Sequence, residues 1–161
     1  MKCFTTIGLL LLLSCTTTHA QTVNETDSLE IVSKISDWNK GWKIKDYIPA
    51  TKWYTGDAEF TNAFGQHRIG QPAIEALLKE VFQLPFVMAG DSKVISQKMM
   101  LVAPGVMLVI TVIARAGQQT PDNKDLNVRH TTHHRLLKKE KEWLIAAHLI
   151  SDARDTQAAK H

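Results

Sequence analysis

Four histidines, His130, His133, His134 and His148, lie close to the end of this chain. An imidazole with a pKa of about 6.5 gives or takes a proton near neutrality. The spacing decides which of the four can act together. Asn127 to Lys138 and Trp143 to Asp152 both read as strands, joined by a turn near Glu140-Lys141. A hairpin centred on that turn sets His133 opposite His148, Arg129 opposite Asp152, Arg135 opposite Ala146 and Leu137 opposite Leu144. On the other face Leu136 meets Ile145 and His134 meets Ala147. Cross-strand Cβ atoms lie about 5 Å apart, so the His133/His148 pair can relay a proton or offer two metal ligands. A third ligand would have to come from another strand, and Arg129 and Arg135 flank the pair and repel a cation, so no metal is assigned. His130 and His134 share a face but sit about 13 Å apart along the strand, too far to chelate together.

His148 is the first candidate for acid–base work, because Ala146 and Ala147 leave room beside it. The competing reading is a core histidine bonded to the backbone. Asp57 and Tyr54 come next: a carboxylate as general base and a phenol to orient an oxyanion. An aspartate at the start of a strand is equally a turn former. Trp38, Trp42, Trp53, Phe60 and Phe82 are candidates for an aromatic pocket wall, with Arg129 as a polar contact; at helical spacing Trp38 and Trp42 also suit a core.

The elements that must position these groups follow from the periodicity. Ile31, Ile35, Trp38 and Trp42 recur as one face of a helix, capped by Asp27 or Ser28. Asp46 to Trp53 reads as a short second helix interrupted by Pro49. Asp57 to Asn62 alternates as a strand, with Ala58 and Phe60 on one side, and His67 to Ile69 returns as a hairpin. Pro72 opens a third helix buried through Ile74, Leu77, Leu78, Val81 and Phe82, and Pro85 lies just beyond its end. Val94 to Val102 and Val106 to Arg115 are further strands. The second is apolar on both faces, Met107, Val109 and Ile113 alternating with Leu108, Ile110 and Val112. Such a strand needs cover on both sides. Helices supply one cover, and a second copy of the sheet is the expected other, giving a homodimer; the alternative leaves Val109 and Ile113 as a surface patch.

Met1-Lys2, the apolar run Ile7 to Leu13 and Thr18-His19-Ala20 read as an export signal cut before Gln21, and the run is shorter than the roughly 20 residues a spanning helix needs. The protein is therefore expected to be secreted or periplasmic. Leu12-Leu13-Ser14-Cys15 offers the alternative of a lipoprotein anchored through Cys15. Both cysteines, Cys3 and Cys15, fall within the signal, so the mature chain has no thiol for a disulfide, a metal or a nucleophile. A net charge of +3 spread along the chain does not form the basic stripe of a nucleic-acid binder, and no later segment is long and apolar enough for a membrane span. The expected organisation is a signal over 1–20, a flexible stretch over 21–27, one domain over 28–152 and a polar tail over 153–161.

Trp38-Asn39-Lys40-Gly41-Trp42, Trp53-Tyr54, Asp57-Ala58-Glu59-Phe60-Thr61-Asn62, Phe64-Gly65, Arg129-His130-Thr131 and Trp143 to Ser151 follow one another in an order that resembles the SnoaL-like, SgcJ/EcaC-type branch of the nuclear transport factor 2-like superfamily. The resemblance implies an α+β, cystatin-like cone: a strongly curved antiparallel sheet wrapped around three N-terminal helices, with a pocket at its open end. Relatives include ketosteroid isomerase, scytalone dehydratase and polyketide cyclases, along with binding modules that do no chemistry. The ketosteroid isomerase mechanism does not carry over, because its phenol on the first helix is replaced here by Trp38 and Trp42. No cofactor is expected, since no glycine-rich dinucleotide loop follows a strand.

The expected function is binding of a small apolar or aromatic molecule in an apolar pocket, with acid–base catalysis of isomerase, cyclase or hydrolase type by His148 with Asp57, Tyr54 or His133. The alternative is a non-catalytic dimeric binding or scaffold module whose pocket is filled by side chains.

Overall fold

The computed structural model describes residues 24–152; the segment expected to be an export signal, Cys15 and the residues beyond Asp152 lie outside them. Helix α1 (Glu25–Ile44) starts earlier than the sequence suggests. The side chain of Asn24, rather than Asp27 or Ser28, accepts the Thr26 and Asp27 N–H groups. Glu25 and Asp27 then sit in the first turn, where the helix dipole favours them. Ile31, Ile35 and Trp38 form the buried stripe.

Gly41 looks like a weak point in α1, but it is where α2 (Tyr47–Thr51) crosses. A Cβ there would lie 2.7 Å from both the Ala50 nitrogen and the Asp46 oxygen. Pro49 does not interrupt α2. It occupies the first turn, where a missing N–H breaks no helical bond.

Strand β1 (Tyr54–Thr61) pairs with β2 (His67–Ile69) and leads through α3 (Gln71–Val81) to a short helix α4 (Pro85–Met88). Pro85 opens α4 at its first position instead of merely ending α3. Strands β3 (Asp91–Ala103), β4 (Val106–Ala116), β5 (Arg129–Lys139) and β6 (Trp143–Asp152) complete one curved, open sheet in the order β2-β1-β6-β5-β4-β3. Every neighbouring pair is antiparallel except β1 and β6, which run parallel. Tight turns force antiparallel pairing, but β1 and β6 are joined through all the intervening elements, which leaves the sense of their pairing free.

The helices cover one face of the sheet, and the core forms there. Met107, Val109, Leu137, Trp143 and Ile145 are all within 1% of complete burial. Val109 and Ile113 therefore point inward, and the half-buried outer row of β4 is Leu108, Ile110 and Val112.

The β5–β6 register differs from the expected one by two residues. Arg135 stands opposite His148 and His133 opposite Ile150. A shift of two keeps every side chain on its face, which is why His133 and His148 still meet. Nearer the turn the register comes back by one, since Leu136 pairs with Ala147 and Leu137 with Ile145. Ala146 is the unpaired residue of this bulge. It explains why Trp143 and Ile145 share the inner face with His148, where Leu144 and Ala146 were expected.

Candidate active site

Burial of polar groups on an apolar face requires partners. The inner face of β5 carries Thr131, His133 and Arg135 in alternate positions, and all three are buried. The Tyr54 hydroxyl lies 2.6 Å from His148 Nδ1, and His148 Nε2 lies 3.0 Å from His133 Nδ1. Arg135 Nη2 lies 3.1 Å from the same His133 nitrogen, and His133 Nε2 lies 3.3 Å from Thr131 Oγ1.

The arginine fixes every proton in this chain. A guanidinium can only donate, so His133 Nδ1 must accept. His148 Nε2 therefore carries a proton and donates to it. His148 Nδ1 is then an acceptor, and Tyr54 O–H donates to it. The one remaining proton of neutral His133 sits on Nε2, directed at Thr131.

Burial and the nearby Arg135 charge hold both imidazoles well below their ordinary pKa, so both are neutral at pH 7. Burial pushes the Tyr54 phenol upward, against the pull of Arg135, so it too is neutral. Burial lowers Arg135 to about 10, still charged at neutral pH. Trp38 packs edge-on against both imidazoles, at 5.0 Å and 5.3 Å between ring centres, and Phe60 against His148 at 5.2 Å. These contacts hold the rings in place and exclude water.

A cavity of about 430 Å³ opens beside this chain. His133 and Thr131 line it; His148 and Tyr54 stand behind them. Its apolar wall includes Trp38, Trp42, Phe60, Val87, Ile113 and Ile150. Trp38 and Trp42 stack at 5.4 Å, and Phe82 backs Trp42 edge-on without reaching the cavity. Arg129 lines the cavity and is ion-paired with Asp152.

Two candidates lie elsewhere. Asp57 is exposed and apart from the cavity, on the side of β1 shared with Glu59. Its carboxyl is held below its ordinary pKa, chiefly by the nearby Thr55 hydroxyl, as suits an exposed strand residue. Trp53 is also apart from the cavity; its indole N–H bonds Asp37, with the Lys34 and Lys52 amines over its ring.

Thr131, Arg135 and Arg115, which also lines the cavity, did not emerge as site residues from the sequence. The alternation Thr131-His133-Arg135-Leu137 was the available signal, because it places a cation on the same face as a core leucine. Among the described residues no three side chains are grouped to hold a metal ion.

No family model and no curated protein matches this chain. Solved structures do. An uncharacterised protein with a cystatin-like fold from Caulobacter vibrioides superposes with a TM-score of 0.71 at 16% identity, covering 83% of this chain and 94% of its own. A ketosteroid isomerase-like protein from Erwinia carotovora atroseptica gives 0.67 at 14% identity, over 83% and 100%. An NTF-2-like protein of unknown function from Shewanella oneidensis MR-1 gives 0.59 at 15% identity, over 78% and 98%. Helices packed on one face of a curved open sheet give this chain the cystatin-like, nuclear transport factor 2-like fold that these structures share.

Proposed function

We propose that this protein binds a small molecule with a large apolar or aromatic body and uses His133 Nε2–H as hydrogen-bond donor and acid toward an oxygen on it. The observation that carries this reading is the proton chain that ends at the cavity wall. The long contact from His133 to Thr131 is readily exchanged for a ligand oxygen. A neutral imidazole polarises a carbonyl, and the groups behind it can replace any proton it gives up. His148 passes its Nε2 proton to His133 Nδ1, and Tyr54 passes its hydroxyl proton to His148 Nδ1, leaving a phenolate that Arg135 attracts. Such polarisation serves isomerase or cyclase chemistry. An open cavity favours this over a scaffold with a filled interior. The likeness to a ketosteroid isomerase-like protein agrees with it at the level of fold.

Native mass spectrometry of protein taken from its own source should find a retained organic molecule. Assayed on that molecule or its carbonyl analogues, His133→Gln should lose turnover by about 100-fold or more and keep binding. Unchanged turnover would remove His133 from the chemistry.

Two further readings belong here. The segment over 1–20 supports export, and intact mass distinguishes a chain starting at Gln21 from one acylated at Cys15. The outer row Leu108, Ile110 and Val112, with Leu136 and Leu149 on β5 and β6, supports a homodimer through the sheet. Sedimentation as a clean monomer at micromolar concentration would oppose it.

A further inference from the structure

Arg115 and Arg129 face each other directly across β4 and β5, and both line the cavity. Like charges in that position repel. Arg129 has Asp152, but Arg115 has no ion pair among the described residues. Its guanidinium lies 4.8 Å over the Trp42 ring and donates from Nη2 to the Val87 carbonyl at 2.7 Å. Gln118 Nε2 donates to that carbonyl as well, so the oxygen is shared. Arg115 Nε is buried with no partner. The rest of the wall has the same sign: among the described residues Lys40, Lys43 and Lys45 stand on it against one carboxylate, Asp91. A cavity with mostly cationic titratable groups and low-dielectric aromatic walls concentrates anions.

We propose that the ligand carries a carboxylate, held by Arg115 beside Arg129, with its apolar body against Trp38 and Trp42. The proposal rests on the ligand-binding reading above and narrows it to an amphipathic organic acid. A guanidinium presents a planar fork that matches a carboxylate, and one such anion neutralises the excess charge of the arginine pair. Burial and the neighbouring Arg129 lower the Arg115 pKa to about 10, in keeping with a cation short of an anion.

The test compares aryl- and alkyl-carboxylates, from phenylacetate to decanoate, with their neutral amides by titration calorimetry on the full chain. The acids should bind at least tenfold tighter than their amides, and the difference should shrink as sodium chloride is raised. Arg115→Gln should bring the acid-to-amide ratio close to one with amide binding unchanged, and Arg115→Lys should recover part of it. Lys34→Met, away from the cavity, should leave the ratio intact. Equal binding of acids and amides by the wild-type protein would overturn the carboxylate and leave the cavity reading standing. Failure of every acid and amide to bind would overturn both. Should Arg115→Gln not fold, the wild-type ratio and its salt dependence decide alone.

Discussion

Two regions of this molecule bury a cation, and they treat it in opposite ways. On the helix side, Lys34 is 3% exposed and satisfied twice over, paired with both Glu30 and Glu142 and lying 3.6 Å over the Trp53 ring. Beside the cavity, Arg135 is fully buried and meets no carboxylate among the described residues. It has two neutral acceptors, His133 Nδ1 and Thr111 Oγ1, together with the face of Trp38, and its Nε is left without a partner. A buried charge without a counter-ion opposes folding. Lys34 ties α1 to the β5–β6 turn. Arg135 orders the protons of three neighbouring side chains at the expense of stability.

That contrast can be broken most severely with acid. His133 and His148 are neutral in the fold, but in the unfolded chain they titrate near pH 6.5. Below that pH the unfolded state takes up protons that the native state refuses, so stability falls as pH falls. The slope approaches about 1.4 kcal/mol per pH unit for each imidazole, which gives about 3 kcal/mol for the pair between pH 6.5 and 5. Urea midpoints across that range measure it, and a flat profile would mean that both rings accept charge in place.

The next test acts on the arginine itself. Arg135→Met keeps much of the volume and removes the uncompensated charge, so it should raise stability by about 1–4 kcal/mol while freeing the His133 tautomer and impairing the site. A loss of stability would show that Arg135 is structural.

Lys34→Met sharpens the contrast from the other side. It should lower stability by about 1–2 kcal/mol, since both carboxylates keep some access to water. Ligand binding should not change, and thermal melts with and without an organic acid would check both points.

The fold was legible because its signals are periodic. The α1 stripe and the Ala58/Phe60 alternation each fixed an element and its buried face, whereas the two-sided apolarity of β4 fixed the strand but not that Val109 and Ile113 turn inward. The His133/His148 pair was legible for the same reason, since an error of two in register changes no face. The Ala146 bulge was not, because nothing in Ile145-Ala146-Ala147-His148 marks which residue goes unpaired. Asp57 was misread where the pattern was already sufficient. With Ala58 and Phe60 inside, the residue before them belongs with Glu59 in solvent. Arg115 ends an apolar strand, and its role depends on Trp42 and Val87, far away in sequence; no spacing rule reaches that contact.

The lone unpaired alanine on β6 has a consequence out of proportion to its size. Were Ala146 paired in the ladder instead of bulged out of it, the strand would alternate without interruption from Trp143 onward, and everything beyond it would turn over. Leu149 would move to the helix side and the imidazole before it would go to the outer surface, with strand pairing otherwise kept. The pairing of one small residue thus decides whether the His148 ring meets His133 on the inner face or lies on the outer surface, with the contours of the fold unchanged.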